Sequence, residues 1–415
     1  MATITSIGDA AIRMDQFYFE ELPQGSVIES SPTSLTINNL GFVEHFTGFG
    51  VTYDANGNPL AGMITGFEES KGGIILFSIS GLNVDVGLFY STIKGPLGYG
   101  PHYGDATQLL FPGNDTATGS SHDDSISLGA GHDVIFGGAG NDALSGGDGN
   151  DHLYGQSPNG GPDGSDLILG GNGMDYIQGN AGNDSLSGGN GPDRIYGGAD
   201  DDQIRGEAGN DVINGNMGND TIEAGVGDDV VHGGKGNDVI IGDLGNDLLQ
   251  GDTGDDILIP NVGHLDNVAG VDTLVGGDGA DIFQFYPITY GEYLPTRADG
   301  LPADFTIIAD FHPGEDKIAG IGGPTDKYVY STAATLADAI VYAGTVHHDG
   351  YTNSPAALLV GVGGDTYVFF SGAYETKFDQ VVELVGVDSH SVSASDFTMD
   401  GYREPLFFYD DGIFF

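Results

Sequence analysis

Seventeen aspartates recur at nine-residue intervals between Asp124 and Asp281, and carboxylates at a fixed spacing are suited to holding hard metal ions. Two residues after each Asp stands an aliphatic side chain, with Phe283 as the one aromatic exception. Two residues before each Asp is usually a Gly, so the repeat reads GGxGxDxUx, where U is a large apolar residue. The aspartates are Asp124, Asp133, Asp142, Asp151, Asp166, Asp175, Asp184, Asp193, Asp202, Asp211, Asp220, Asp229, Asp238, Asp247, Asp256, Asp272 and Asp281.

The spacing predicts a solenoid of very short strands. Glycines permit positive φ and close backbone approach, so GGxGxD is predicted to be a tight turn and xUx a strand. Two repeats, eighteen residues, then form one coil, and coils stack at the inter-strand distance of about 4.8 Å. The U side chains point inward from two sheets and the aspartates line two edges. One edge is predicted to hold the run from Asp166 to Asp256 at eighteen-residue steps, and the other the run from Asp175 to Asp247.

Carboxylates stacked this closely repel one another unless cations lie between them. Carboxylate and turn carbonyl oxygens suit Ca²⁺, which accepts six or more oxygen ligands in adaptable geometry. Mg²⁺ fits less well, because it requires a tighter octahedron and gives up water reluctantly. The sequence therefore predicts a ladder of calcium sites, with roughly ten to fifteen ions along it.

The repeat resembles the RTX (hemolysin-type) calcium-binding nonapeptide repeat of secreted proteins. The resemblance implies that each ion lies between turns, held by the Asp and by carbonyls of the second and fourth repeat positions. Those positions fall on Gly138, Gly140, Gly147, Gly149, Gly171, Gly173, Gly182, Gly189, Gly191, Gly209, Gly218, Gly225, Gly227, Gly234, Gly236, Gly245 and Gly254. Departures from the pattern exist, since His122 and Asp200 replace the fourth-position Gly and Leu128 replaces a first-position Gly.

The composition limits partners and compartment. Lys+Arg 11 against Asp+Glu 61 gives a net charge of -50, which disfavours nucleic acid and anionic membrane surfaces. The chain has no Cys for disulfides, and neither a Sec-type signal nor an apolar run long enough to span a membrane is evident. This combination resembles type I secretion substrates of Gram-negative bacteria, which implies an extracellular or cell-surface location. The acidic and hydrophobic tail YDDGIFF is similar to their C-terminal signals.

The expected fold class is all-β, with three regions. Residues 1–112 alternate as strands and are predicted to form an antiparallel sheet or sandwich, with a hairpin turn at Asn56-Gly57. Residues 113–284 are the predicted parallel β-roll, interrupted by loops at 155–160 and 260–266. Residues 285–415 are expected to be a mostly β cap with a secretion signal, and one helix is predicted at about 333–343. The segment FTIIADFHPGEDKIAG resembles the stretch that follows the repeats in serralysin-type proteins.

Two functions remain open from the sequence. The chain has neither HExxH nor GxSxG, and this favours a non-enzymatic surface protein, such as an S-layer subunit, matrix protein or adhesin, that self-assembles into a layer or filament. The alternative is a secreted hydrolase or lyase whose chemistry lies in residues 1–112, with the repeats as the secretion and folding module. A concave N-terminal pocket of ionisable groups would favour the enzyme.

Overall fold

The computed structural model describes fourteen stretches of backbone. They are residues 3–6, 26–31, 34–39, 42–53, 59–71, 74–85, 113–119, 121–261, 270–285, 305–319, 328–333, 357–370, 380–393 and 396–398. Side chains are described for 113–119, 121–261, 270–285, 305–319, 359–368, 381–393 and 396–397. The chain divides into two compact units, the first containing residues 1–194 and the second residues 195–409.

The N-terminal strands form an antiparallel sheet within the first unit. They are β1 (Thr3–Ser6), β2 (Ser26–Ser31), β3 (Ser34–Asn39), β4 (Phe42–Tyr53), β5 (Pro59–Lys71) and β6 (Ile74–Asp85). Neighbours from β2 to β6 pair antiparallel, and β1 pairs antiparallel with β6. Tyr53 pairs with Pro59, which confirms the predicted hairpin, although its turn at Asn56-Gly57 lies outside the described residues.

The repeats of the first unit form two parallel sheets. The strands are β7 (Thr116–Thr118), β8 (Ser125–Ala130), β9 (Val134–Gly138), β10 (Ala143–Asp148), β11 (His152–Gln156), β12 (Leu167–Asn172), β13 (Tyr176–Ala181) and β14 (Ser185–Asn190). Consecutive strands alternate between the sheets, so β7, β9, β11 and β13 pair in one and β8, β10, β12 and β14 in the other. Strand β1 also pairs parallel with β7 and so joins the antiparallel sheet to the first of these.

The second unit repeats this arrangement. Strand β15 (Arg194–Ala199) lies at the boundary, and the strands that follow are β16 (Gln203–Ala208), β17 (Val212–Met217), β18 (Thr221–Val226), β19 (Val230–Lys235), β20 (Val239–Leu244), β21 (Leu248–Thr253), β22 (Ile257–Ile259), β23 (Val271–Asp278) and β24 (Ile282–Gln284). Even-numbered strands from β16 pair parallel in one sheet, and odd-numbered strands from β17 in the other. The predicted β-roll is therefore confirmed.

The C-terminal strands extend both sheets of the second unit. They are β25 (Phe305–Ile308), β26 (Lys317–Ala319), β27 (Tyr328–Ala333), β28 (Ala357–Val362), β29 (Asp365–Phe370), β30 (Gln380–Leu384) and β31 (Phe397–Thr398). Strands β25 and β30 continue from β23, while β26 and β31 continue from β24, all in parallel. Strands β29 and β28 follow β30 antiparallel, and β27 pairs parallel with β28.

Every named element in the described residues is a strand, as the all-β prediction requires. Of the helix expected at about 333–343, Ala333 ends β27 and the remainder lies outside the described residues. No helix in the described part of the chain is long and apolar enough to cross a membrane.

The core of the roll is a double row of U side chains. Ile126, Leu144 and Ile168 occupy equivalent positions on adjacent strands, and each is at most 1% exposed. Strands with one inward side chain per repeat can form only a thin core, so much of the fold's cohesion has to come from its turns.

Candidate metal sites

The aspartates of the repeats form hydrogen-bonded ladders along the edges of the roll. The backbone N–H of Asp124 donates to Oδ1 of Asp142, one coil further on, at 2.7 Å. In the first unit the same bond links Asp133 to Asp151 and Asp175 to Asp193. In the second unit it joins Asp202, Asp220, Asp238, Asp256 and Asp281 in series, and likewise Asp211, Asp229, Asp247 and Asp272. The eighteen-residue edges predicted from the sequence are thus present within each unit.

Both interruptions of the repeat preserve the ladder. Asp142 bonds to Asp166 across 24 residues, and Asp256 bonds to Asp281 across 25. The first insertion makes its own turn, in which the Gly160 N–H donates to the Ser157 carbonyl at 2.9 Å. The first insertion is therefore a loop, as predicted, and the ladder continues past both insertions, although residues 262–269 of the second lie outside the described residues.

The second carboxylate oxygen is the chemically significant atom of each rung. All seventeen aspartates are 0 to 3% exposed. Because burying an ionised carboxylate is costly unless its oxygens are paired, an unpaired buried oxygen points to a bound cation or proton. Oδ2 is buried without a hydrogen-bond partner in Asp133, Asp142, Asp151, Asp166, Asp175, Asp220, Asp229, Asp238, Asp247, Asp256 and Asp281.

First-position glycines provide the space for these oxygens. A Cβ added at Gly137 would overlap both Oδ2 of Asp142 and the carbonyl oxygen of Gly155, which is the first-position residue of the next coil. The same holds at Gly215, where the added atom would meet Asp220 Oδ2 and the Gly233 carbonyl oxygen. A carboxylate oxygen and a carbonyl oxygen therefore share one cradle in each such turn.

The glycines at the second and fourth positions shape the turns. All seventeen named in the sequence analysis have φ between 105° and 152°, a region that L side chains rarely adopt. Their carbonyls pack against the equivalent residues of neighbouring coils; for example, a Cβ at Gly147 would overlap the Gly129 carbonyl oxygen. Gly129 and Gly131 also take positive φ and belong to the same set.

The departures from the repeat have different consequences. Among the described residues, the non-glycine residues with left-handed φ are Asn180, Asp200, Glu207, Asn216, Asp243 and Asp252, at 72° to 85°. Asp200 thus keeps the turn despite its side chain, whereas His122 is not in this set. Leu128 is fully buried, so its side chain joins the core.

Burial raises the pKa of the ladder carboxyls. The pKa of Asp238 is raised to about 7 by desolvation, which outweighs the hydrogen bond from the Asp220 N–H, and the like charges of Asp220 and Asp256 raise it further. The pKa of Asp166 is raised to about 8 and that of Asp220 to about 6, again mainly by burial. Metal-free rungs with a pKa raised to about 7 are therefore partly protonated near neutral pH.

These donors fit Ca²⁺. Each rung offers a hard carboxylate oxygen beside a carbonyl oxygen, and Ca²⁺ accepts mixtures of the two. No group of three or more His, Asp or Glu side chains converges on one point in the described part of the chain. A Ca²⁺ ion at a rung would then also take backbone carbonyl oxygens or water as ligands. When bound, Ca²⁺ would neutralise the buried carboxylates of adjacent coils, and the chain's own residues would fix its position through the Oδ1 hydrogen bonds.

Sequence reasoning missed one further rung at the start of the ladder. Asp115 lies nine residues before Asp124, is 3% exposed, and donates its N–H to Oδ1 of Asp133 at 2.7 Å. Its U position is Ala117, which is fully buried but too small to mark a repeat by size. The nine-residue spacing between Asp115 and Asp124 is the sequence feature that could have revealed this rung.

A second ladder runs beside the first and was also missed. The residue before each repeat Asp is commonly Asn or Asp, and its side-chain oxygen accepts the N–H of the equivalent residue on the next coil. Asn237 N–H donates to Asn219 Oδ1 at 2.8 Å, and Asp255 N–H donates to Asn237 Oδ1 at 3.1 Å. His132 takes the same place through Nδ1, which accepts the Asn150 N–H. These bonds hold the turns in register without a metal.

The comparisons with known proteins agree with this geometry. Six stretches match the family model of the RTX calcium-binding nonapeptide repeat: residues 111–144, 129–157, 161–195, 187–222, 223–258 and 268–284. The chain therefore carries RTX calcium-binding repeats in several copies, as the sequence analysis predicts. No curated protein sequence is significantly similar to the chain.

Two solved structures resemble the chain at low overall similarity. The solution structure of the AlgE6R3 subunit from the Azotobacter vinelandii mannuronan C5-epimerase is 26% identical, covers 43% of this chain and 82% of its own, and has a TM-score of 0.27. The crystal structure of the extracellular lipase LipA from Serratia marcescens is 12% identical, covers 88% of this chain and 82% of its own, and has a TM-score of 0.19. Scores this low do not extend either activity to this chain.

Proposed function

We propose that this chain is a secreted calcium-binding protein whose roll folds when calcium occupies the aspartate ladder. The observation that carries the proposal is the row of buried Oδ2 atoms without hydrogen-bond partners. Each such carboxylate needs a counter-charge when it is ionised, and the net charge of -50 disfavours compaction until one is supplied. All seventeen repeat aspartates and the seventeen second- and fourth-position glycines are proposed to contribute ligands.

Calcium level would then act as the folding signal. Extracellular calcium modules bind at about 10⁻⁴ to 10⁻³ M, so cytosolic calcium would leave the roll unfolded and external calcium would fold it. This supports export of an unfolded chain by type I secretion machinery from a Gram-negative cell. In the proposed organisation, residues 1–112 form the N-terminal domain, 113–284 the roll, and 285–415 the cap with the secretion signal.

The test is circular dichroism of the full chain in chelator and then in millimolar calcium. We expect a weak, disordered spectrum in chelator and a strong β signal in calcium, with magnesium less effective at equal concentration. Bound calcium counted by mass spectrometry of the intact protein should reach roughly ten to fifteen ions. A full β signal in chelator at neutral pH would contradict calcium-driven folding.

We propose a structural, non-catalytic role at the cell surface, as part of an S-layer, matrix or adhesin. The support is that the repeat aspartates form long hydrogen-bonded ladders of candidate metal sites, which would give a rigid element outside the cell when calcium is bound. Electron microscopy in millimolar calcium should show a lattice or filaments. Dispersed single particles would count against self-assembly. The alternative, catalysis in residues 1–112, falls on side chains outside the described residues.

A further inference from the structure

Asp316 continues the aspartate ladder beyond the last repeat. It lies 35 residues after Asp281, whose N–H donates to Oδ1 of Asp316 at 3.1 Å. The Lys317 N–H donates to the Asp281 carbonyl at 2.8 Å, as the Ile282 N–H does to the Asp256 carbonyl one rung earlier. Ile318 pairs with Phe283 and occupies the U position. By backbone register, Asp316 is therefore the rung that follows Asp281.

The second oxygen of Asp316 differs from those of the repeat rungs. Asp316 is 1% exposed, and its Oδ2 accepts the backbone N–H of His312 at 2.7 Å. Nδ1 of His312 lies 3.6 Å from the same oxygen. The corresponding Oδ2 of Asp281 has no hydrogen-bond partner. Both oxygens of Asp316 thus face backbone donors, which stabilise a buried carboxylate without a cation.

Two further aspartates at this end are also satisfied by protein donors. Asp310 accepts the N–H groups of Gly276 and Gly277, each at 2.9 Å. Asp396 is 1% exposed and accepts the Gly314 N–H at 2.9 Å on Oδ1 and the Ser393 N–H at 2.7 Å on Oδ2. These bonds fasten the 310–319 segment to the last repeat and to β31.

We propose that Asp316 is the terminal rung of the ladder and holds no calcium, with the His312 N–H in the place of the ion. Asp316 is then a positioning residue, which fixes the turn of Asp281 so that the last calcium site is complete. The inference rests on the proposed calcium binding. The ladder of this chain would then end at a rung that needs no metal, after rungs that do.

The test compares Asp316→Asn with Asp256→Asn in the full chain. Each replaces one buried rung carboxylate with a neutral isostere. Calcium per chain is counted at saturating calcium by native mass spectrometry, and hydrogen exchange reports the amides of 276–285 and 312–319. We expect D256N to lose at least one ion. We expect D316N to keep the wild-type count, while its calcium midpoint rises several-fold and those amides exchange faster.

Loss of an ion in D316N, with amide exchange as slow as in the wild type, would make Asp316 an ordinary ligand and overturn the inference. A wild-type chain that binds no calcium would instead overturn the proposed function.

His312→Pro and His312→Ala keep the inference testable should D316N fail to fold. His312→Pro removes the donor and keeps the carboxylate, and we expect a raised calcium midpoint with an unchanged ion count. His312→Ala retains the N–H and should behave as the wild type. A calcium midpoint in His312→Pro equal to that of the wild type would show that the N–H does not end the ladder.

Discussion

In the proposed function, each repeat aspartate of the ladder binds either a proton or a calcium ion. One oxygen is fixed by the N–H of the preceding coil, while the other is buried beside a carbonyl oxygen. An ionised oxygen in that place is costly, whereas a protonated one or a calcium-bound one is not. Protonation and calcium binding at a rung would therefore both depend on the same backbone arrangement.

The raised pKa values predict how the metal-free fold depends on pH. The pKa of Asp238 is about 7 in the folded chain against 3.8 for the free residue. Since the folded value is raised, the contribution of this rung to the stability of the folded state is fully present below pH 3.8. That contribution is lost as pH rises through about 7. In chelator, lowering the pH from 8 to 4 should therefore increase the β signal in circular dichroism.

Calcium binding should have the opposite pH dependence. The calcium midpoint should fall as pH rises from 5 to 8, because ions no longer compete with protons for the rungs. Calorimetry in two buffers of different ionisation enthalpy should detect proton release on binding. A midpoint that does not vary over this range would contradict raised pKa values. From the sequence alone, competition is expected only near the ordinary Asp pKa of about 3.9, since burial cannot be read from composition.

A matched pair of substitutions separates rung charge from surface charge. Asp220→Asn removes a buried rung carboxylate, whereas Asp228→Asn removes an exposed one whose Oδ1 accepts hydrogen bonds from Asn246. We expect D220N to raise the calcium midpoint several-fold and D228N to leave it nearly unchanged, because an Asn oxygen still accepts that bond. Calcium titrations followed by circular dichroism provide the measurement. Equal shifts would mean that net charge alone controls binding.

The turns are stabilised by two ladders, of which the sequence analysis predicted only one. The Asp at fixed spacing and the U residue two positions later predict the coils, because both periodicities are explicit in the residues. The neighbouring Asn or Asp ladder was missed because those residues are common in turns, so their presence alone does not imply a bond to the next coil. Asp316 was missed because the backbone, not the sequence spacing, brings it into register. The cradle at first-position glycines was missed because its carboxylate and carbonyl oxygens come together only in the folded chain.

The second ladder should contribute to stability independently of the metal. Asn237→Leu removes the acceptor of the Asp255 N–H, and since this turn is exposed, the loss should be about 0.5 to 1.5 kcal/mol of unfolding free energy. Asn237→Asp keeps the acceptor and serves as the control. Urea denaturation in saturating calcium measures both. The ion count should be the same for the two variants, and an ion lost only in Asn237→Leu would mean that this ladder also serves the metal sites.

At the scale of the whole chain, the ends of the solenoid matter as much as its repeats. In the first unit β1 pairs parallel with β7, so the N-terminal antiparallel sheet covers an edge that would otherwise be free. In the second unit β25 and β26 pair with β23 and β24 and extend both sheets. Uncovered strand edges and apolar strips on β surfaces promote association. Ile241 and Ile259 form a buried cluster against which Val239 and Ile257 pack, and each is only 3% exposed.

Deletion of residues 286–415 should therefore cause disordered aggregation in calcium, beyond any ordered assembly of the full chain. The truncation removes β25 and β26, which leaves the N–H and C=O groups of β23 and β24 unpaired at the end of the roll. It also removes Asp310 and Asp316, the carboxylates that accept the N–H groups of the last repeat. In chelator the truncated chain should remain soluble, because its charge keeps it expanded and no edge has formed. Light scattering during a calcium titration tests this, with the full chain as control. A truncated chain that stays monomeric at millimolar calcium would show that the roll ends need no cover, and the contacts of Asp310 and Asp316 would then serve only local order.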